Sequence, residues 1–306
     1  MIKNKDFYVI AGPCSIDYKN VEDIYKIAEI KISDKNGKEK KAIFGTRVVG
    51  LKSRTIYNEK GKGMGIDFEI YKNNLRKLIN NNFNFDIYPS VRLAKEIIKK
   101  TNLTVATEVM DPYLQLKVWE KYLPKEKVMI WNPAVNQLGW PVKIMGEFAK
   151  KNKWFLGLKN PKWLGDENDD QTSMEKNWLG LVHYSQMLNE ENINRVFLIH
   201  RGVDISGKKD YRNLPVHEAA RRIKISTGTK LLFDPSHIHG PKLKNIIVEE
   251  TIKAAKMMID NENYLYDGIL IEVGQSKTDT EQHISIEELK YLVDKISQIR
   301  NLIEPK

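Results

Sequence analysis

Cys14 is the only cysteine of the 306-residue chain, and it stands in Ala11-Gly12-Pro13-Cys14-Ser15, directly after the apolar run Phe7-Tyr8-Val9-Ile10. A lone thiol has no intrachain disulfide partner, so it is either a small buried hydrophobe or a reactive or metal-binding group. Glycine and proline end a strand, which presents the sulfur at the strand's carboxyl end, where α/β folds keep their chemistry. Three further potential ligands recur in similar settings. His237 lies in Asp234-Pro235-Ser236-His237, Glu272 ends Ile269-Leu270-Ile271-Glu272, and Asp279 follows shortly after. One sulfur, one nitrogen and two carboxylates suit a borderline divalent ion (Mn, Fe, Zn or Co) better than Mg or Ca. His239 competes for the nitrogen position; His200 and His217 read as structural or supporting residues.

Lys52, Lys159 and Arg201 follow apolar stretches, and Arg47 lies within one. A buried cation needs a partner. Internal pairing is one answer, with Glu108 as the obvious carboxylate. The other is an anionic ligand, a phosphate or carboxylate to which arginine gives bidentate contacts. Four cations against few nearby acids favour the ligand, and Thr55 beside Arg54 adds a hydroxyl suited to phosphate. Asn132-Pro133-Ala134 is either a strand-end turn or part of the site. Trp131, Trp140, Trp154 and Trp163 read as core or loop anchors rather than a nucleobase platform. The run Gly61-Lys62-Gly63-Met64-Gly65 lacks the Gly-Lys-Ser/Thr ending of a phosphate-binding P-loop and reads as a mobile loop.

The elements that must position these residues alternate. Strands are expected at Phe7–Ile10, Lys41–Gly50, Leu103–Thr107, Val128–Asn132, Trp154–Leu158, Val196–His200, Leu231–Asp234 and Gly268–Glu272. Between them, apolar residues recur at three- and four-residue spacing over Val21–Ile32, Ile70–Asn81, Ser90–Lys100, Pro112–Tyr122, Pro141–Asn152, Asn177–Asn189, Val216–Ser226, Ile246–Asp260 and Ile286–Ile303. Strand–helix alternation implies parallel strands, and eight repeats in this length suit a (β/α)8 barrel of the α/β class. No composition shift divides residues 1–306, so a single barrel domain without a separate regulatory domain is expected. The charged inserts Ser33–Lys40 and Asp166–Lys176 are placed at the surface. Cys14, Lys52, Arg54, Glu108, Asn132, Lys159, Arg201, His237 and Glu272 all fall at strand ends. A barrel brings such ends to one mouth, however far apart they lie in sequence.

Composition narrows the partners. With 41% hydrophobic and 29% charged residues, and no stretch near the roughly 20 apolar residues of a membrane span, a globular chain with no membrane partner is expected. The N-terminus lacks the apolar core of a signal peptide, and one cysteine fits a reducing cytoplasm. The net charge of +10, from 50 basic and 40 acidic residues, is dispersed, which argues against nucleic acid and agrees with small anionic substrates.

Taken in order, Ala-Gly-Pro-Cys-Ser, Arg47 leading into Lys52-Ser53-Arg54-Thr55, Thr107-Glu108-Val109-Met110-Asp111, Lys159, Arg201-Gly202, Asp234-Pro235-Ser236-His237 and Ile271-Glu272-Val273 resemble the type I 3-deoxy-arabino-heptulosonate 7-phosphate (DAHP) synthases and the sister 3-deoxy-octulosonate 8-phosphate (KDO phosphate) synthases. Thr278-Asp279-Thr280-Glu281-Gln282-His283-Ile284 is similar to their Ser-Asp-x-x-Gln-x-Leu segment. The resemblance implies a (β/α)8 barrel condensing phosphoenolpyruvate with a phosphorylated aldose. In the DAHP case this is the first step of the shikimate route to aromatic amino acids. It further implies a metal on Cys14, His237, Glu272 and Asp279, phosphoenolpyruvate on Arg47, Lys52, Lys159 and Arg201, aldose phosphate on Arg54 and Thr55, Lys52 and His237 as catalytic residues, and a homo-oligomer. The cysteine, where metal-independent KDO-phosphate synthases carry Asn, implies the metal-dependent form. Some positions depart from the pattern. The family's Gly-Ala-Arg is replaced by Trp131-Asn132-Pro133-Ala134, whose Pro-Ala is similar to KDO-phosphate synthases. Glu-Val-His becomes Glu272-Val273-Gly274, and Glu-Arg-Gly becomes His200-Arg201-Gly202. A Schiff-base aldolase using Lys159 and a non-catalytic binder are the alternative readings.

Overall fold

A computed structural model describes residues 4–33, 37–52, 63–135, 138–163, 171–276 and 281–305. Eight parallel strands close into a barrel: β1 (Asp6–Gly12), β2 (Gly45–Arg47), β3 (Thr104–Glu108), β4 (Val128–Trp131), β5 (Phe155–Lys159), β6 (Val196–His200), β7 (Lys230–Phe233) and β8 (Gly268–Glu272). Each pairs with its successor, and β8 closes the ring on β1 from Tyr8↔Gly268 to Gly12↔Glu272. The fold is a (β/α)8 barrel.

The strands are buried on both faces, as parallel strands covered by helices must be. Inside the barrel, Ile10, Met129, Phe197, Ile199, Leu232 and Leu270 form one core. Outside it, Val9, Val105, Ile130, Leu198 and Ile269 join helix residues such as Ile24, Val91, Trp119 and Leu292 in a second. The two-residue period of a strand then decides where the polar ends point. With Ala106 inside, Glu108 is inside too; with Leu270 inside, so is Glu272. On β6 the inward residues are Phe197 and Ile199, so His200 faces the helices and Arg201 returns to the interior. Helices start on local signals. Asp111 caps Pro112–Tyr122 by accepting from the N–H groups of Tyr113 and Leu114, and Ser285 and Glu288 form a reciprocal capping box on Ile286–Ser297.

Four expectations are corrected. The helix expected over Val21–Ile32 ends at Ala28, because Ile30-Lys31-Ile32-Ser33 alternates with the two-residue period of a strand; Lys31–Ser33 pairs antiparallel with Glu39–Lys41. This hairpin takes Lys41 out of the expected strand Lys41–Gly50, whose barrel portion is only Gly45–Arg47. The helix expected over Asn177–Asn189 runs instead over Gln171–Tyr184, carried by the buried face of Met174, Trp178, Leu181 and Val182, so the insert Asp166–Lys176 is not wholly at the surface. A five-residue helix, Pro235–His239, is too short to show a period in the sequence. Among the described residues no helix is long and apolar enough to cross a membrane.

Candidate active site at the carboxyl end of the barrel

The strand ends converge on a buried ring of charge. Arg47, the last residue of β2, donates from Nη2 to Glu272 Oε1 at 2.9 Å and from Nε to the Pro13 carbonyl at 3.1 Å. Lys52 Nζ lies 3.1 Å from Cys14 Sγ. Across the mouth Lys159 Nζ donates to Glu108 Oε1 at 3.2 Å. The Trp131 ring sits between the two sides, 5.7 Å from the Arg47 guanidinium and 5.3 Å from Lys159 Nζ, so its π face meets both cations. Trp131 is thus a core residue as the sequence suggests, but one that also supports charge. Asn132 is more than a turn: its Oδ1 accepts from the Lys159 amide at 2.9 Å and ties β4 to β5.

These pairings set the charge states. Burial works against the charged form of every group, but Lys159, Lys52 and His237 outweigh it at Glu108, and Arg47, His237, His283 and Lys52 hold Glu272 well below the usual carboxylate range. Burial likewise disfavours the Lys52 ammonium, yet Cys14, Glu108 and Glu272 raise its pKa. Lys159 goes the other way, since burial outweighs Glu108 and lowers the amine. Arg201 is pulled down to about 10 by burial.

Internal pairing therefore accounts for three of the four cations, with Glu108, Glu272 and the Cys14 sulfur as partners. Arg201 has no carboxylate partner among the described residues: Nη1 donates to Asn213 Oδ1 at 3.1 Å, and its buried Nε lacks an acceptor, as does Arg47 Nη1. Buried guanidinium donors left open in this way are suited to receive an anion.

Cys14, His237 and Glu272 come to the same mouth. Asp234 caps the short helix and takes Nδ1 of His237 at 2.9 Å, which leaves Nε2 facing Glu272 Oε1 at 3.9 Å. A carboxylate that orients a ligand histidine is the usual support for a metal. The ammonium of Lys52 sets a positive charge beside the Cys14 sulfur, and a thiolate is the form of cysteine that binds metal. The donor chemistry fits a borderline divalent ion, although among the described residues no three His, Cys, Asp or Glu side chains close to ligand spacing. Asp279, Arg54 and Thr55 lie outside the described residues, as do Gly61 and Lys62 of the glycine-rich run.

His239 turns away from this cluster, with Nδ1 held by the Pro235 carbonyl at 2.9 Å. His200 lies in the strand–helix layer. The Val216 amide donates to its Nε2 at 2.9 Å, so the proton sits on Nδ1 and goes to Tyr266, whose hydroxyl in turn meets His217 Nδ1; both latter contacts are 2.7 Å. The sequence reading missed Asn160, which accepts from the Arg201 amide at 2.8 Å, and Ser236, whose Oγ accepts from the Glu272 amide at 2.9 Å. It also missed Gln282 and His283 as neighbours of Glu272 and Cys14. Ser236 lies in Asp234-Pro235-Ser236-His237, and Gln282 and His283 in the segment after Asp279; Asn160 carries no signal beyond following Lys159.

The architecture defines a (β/α)8 barrel with its polar cluster at the carboxyl-terminal mouth. Among the solved structures that share the fold are two synthases from Thermotoga maritima. One is a phospho-2-dehydro-3-deoxyheptonate aldolase (DAHP synthase) from Thermotoga maritima, 18% identical, with a TM-score of 0.65 over 97% of this chain and 70% of that one. The other is a truncated 3-deoxy-D-arabino-heptulosonate 7-phosphate synthase from Thermotoga maritima, 19% identical, with a TM-score of 0.64 over 97% of this chain and 88% of that one. At these identities the likeness is one of fold. No family model and no curated protein matches the chain.

Proposed function

We propose that this chain is a carbon–carbon bond-forming synthase. Carbon 3 of phosphoenolpyruvate attacks the aldehyde of a phosphorylated aldose, water adds at carbon 2, and inorganic phosphate leaves. The open guanidinium donors of Arg201 and Arg47, in a mouth that also holds Lys52 and Lys159, carry this reading. Two highly anionic substrates repel each other, so binding them together requires fixed, desolvated cations. Arg47, Lys52, Lys159 and Arg201 would take the phosphate and carboxylate of phosphoenolpyruvate, and Arg54 with Thr55 the aldose phosphate. Lys52 and His237 would act on the reacting atoms, with Asp234 keeping the His237 ring in place. Cys14, His237, Glu272 and Asp279 would hold a divalent metal, which supplies Lewis-acid polarisation of the aldehyde or of a bound water.

Erythrose 4-phosphate is the proposed aldose, because Lys52-Ser53-Arg54-Thr55 resembles the DAHP-type loop; arabinose 5-phosphate is the alternative suggested by Pro133-Ala134. The lowered pKa of Lys159 supports a second reading, a Schiff-base aldolase. The test is phosphate release from a panel of phosphorylated and free aldoses with phosphoenolpyruvate and Mn. Release that needs all three components is expected. Covalent trapping of Lys159 by borohydride would replace the synthase with the aldolase. Consumption of arabinose 5-phosphate alone would overturn only the choice of sugar.

A further inference from the structure

The loop between β6 and helix His217–Thr227 joins parts of the site that the sequence keeps apart. Asn213 takes the Arg201 guanidinium on Oδ1 at 3.1 Å and donates from Nδ2 to the His237 carbonyl. Its neighbour Arg212 donates to Gln282 Oε1, and Gln282 Nε2 donates on to Glu272 Oε2 at 2.7 Å. Glu272 is thereby left with Oε1 towards Arg47 and His237 Nε2.

The backbone holds the pair firmly. The amides of Arg212 and Asn213 donate to the carbonyls of His239 and Ile238, and Leu214 bridges Val203. Two glycines are shaped around it. Gly202 and Gly240 both have left-handed φ, +74° and +68°, and an added Cβ would come within 2.9 Å of Asn213 Cβ and 2.5 Å of Arg212 Cβ respectively. Larger residues at either position would push the loop out of the mouth.

We propose that Arg212 and Asn213 are positioning residues that set the two halves of the site separately. Asn213 fixes the Arg201 guanidinium for an anion. Arg212, acting through Gln282, fixes which oxygen of Glu272 faces His237 Nε2. The proposal rests on the reading of the mouth as an anion site beside a metal site, and neither residue need touch substrate. Its signature is a split between two adjacent positions. A merely structural role would weaken both functions together.

The experiment measures inorganic phosphate binding by calorimetry and Mn binding by equilibrium dialysis on the full chain, with thermal melts as a check of folding. Asn213→Ser should weaken phosphate by about tenfold, as loss of a charge-assisted hydrogen bond does, with a much smaller effect on Mn. Arg212→Met should weaken Mn by about 10–100-fold, the usual cost of losing support behind a ligand, with phosphate within about twofold. Gln282→Met should match Arg212→Met, and the double variant should add nothing further. Two conservative variants guard against misfolding. Asn213→Gln, which keeps both an acceptor for Arg201 and a donor for the His237 carbonyl, should recover part of the phosphate affinity relative to Asn213→Ser, and Arg212→Lys should recover part of the Mn affinity. Equal losses of both ligands in each variant, or no loss in either, would overturn the separate positioning roles of Arg212 and Asn213 while leaving the synthase reading intact. If the unaltered chain bound neither phosphate nor Mn, both would fall.

Discussion

The two ends of the barrel interior are built on opposite principles. At the amino-terminal end, Tyr8 packs edge-on against Phe44 and Phe197 with ring centroids 5.0 and 5.1 Å apart, and Phe155 meets the same two rings at 5.4 and 5.8 Å. At the carboxyl end β2, β3, β5 and β8 supply Arg47, Glu108, Lys159 and Glu272. Aromatic rings in edge contact add to the stabilisation from apolar burial. Buried ions cost several kcal/mol each in lost hydration, and their attraction only roughly offsets that cost. The contrast indicates that the amino-terminal plug holds the barrel together, while the charged mouth is kept for what it binds.

The largest effect expected is at the mouth. Arg47→Met leaves the Glu272 carboxylate buried with its strongest partner gone. It should abolish the proposed condensation and cost about 3–5 kcal/mol in denaturant unfolding. Adding Glu272→Leu should restore most of that stability and none of the activity. A double variant no more stable than the single would mean that the mouth also stabilises the fold, and the contrast would break. Phe197→Ala, at the other end, should cost about 3–5 kcal/mol through the cavity it leaves, with turnover of the folded protein unchanged within about twofold. A collapse of kcat there would show that the two ends are mechanically linked.

A smaller effect refines the boundary between them. Asp67 lies beside the stretch that carries Lys52: its amide donates to the Gly50 carbonyl at 3.0 Å, and its carboxylate accepts from the Ser90 amide at 2.9 Å and from the Ser90 hydroxyl. Burial raises this carboxyl to about 6, against the pull of those Ser90 hydrogen bonds. The folded chain therefore keeps the proton at pH values where the unfolded chain has lost it. The resulting stability is fully present below about pH 4 and lost as pH rises through 6. Asp67→Asn should remove this dependence, gaining roughly 2–3 kcal/mol at pH 8 and little at pH 4.5, as read by urea unfolding at the two pH values. An equal change at both would mean that the ionised carboxylate is stabilised by its neighbours.

Residue order and period were enough to recover the barrel and the location of Cys14, Glu108, Lys159, Arg201 and Glu272 at or just past strand ends, with Lys52 further along the loop after β2 and His237 in the short helix after β7, because strand–helix alternation forces parallel pairing and parallel closure puts every strand's end at one mouth. The inward direction of Glu108 and Glu272 also follows from counting in twos from an apolar neighbour. Local chemistry determined the cap formed by Asp234 and Pro235, and with it the support of His237 by a residue three positions away. Which charges meet, by contrast, was decided only by the closed barrel. Arg47 pairs with a carboxylate 225 positions away, and Gln282 lies 70 positions from Arg212. Such distances depend on strand stagger and on the volume of Trp131 between the two sides, neither of which leaves a local pattern. For the same reason the open donors of Arg201 and Arg47 could not be read from residue types. A donor is left without a partner by the arrangement of all its neighbours at once, and that arrangement exists only after the chain has closed around it.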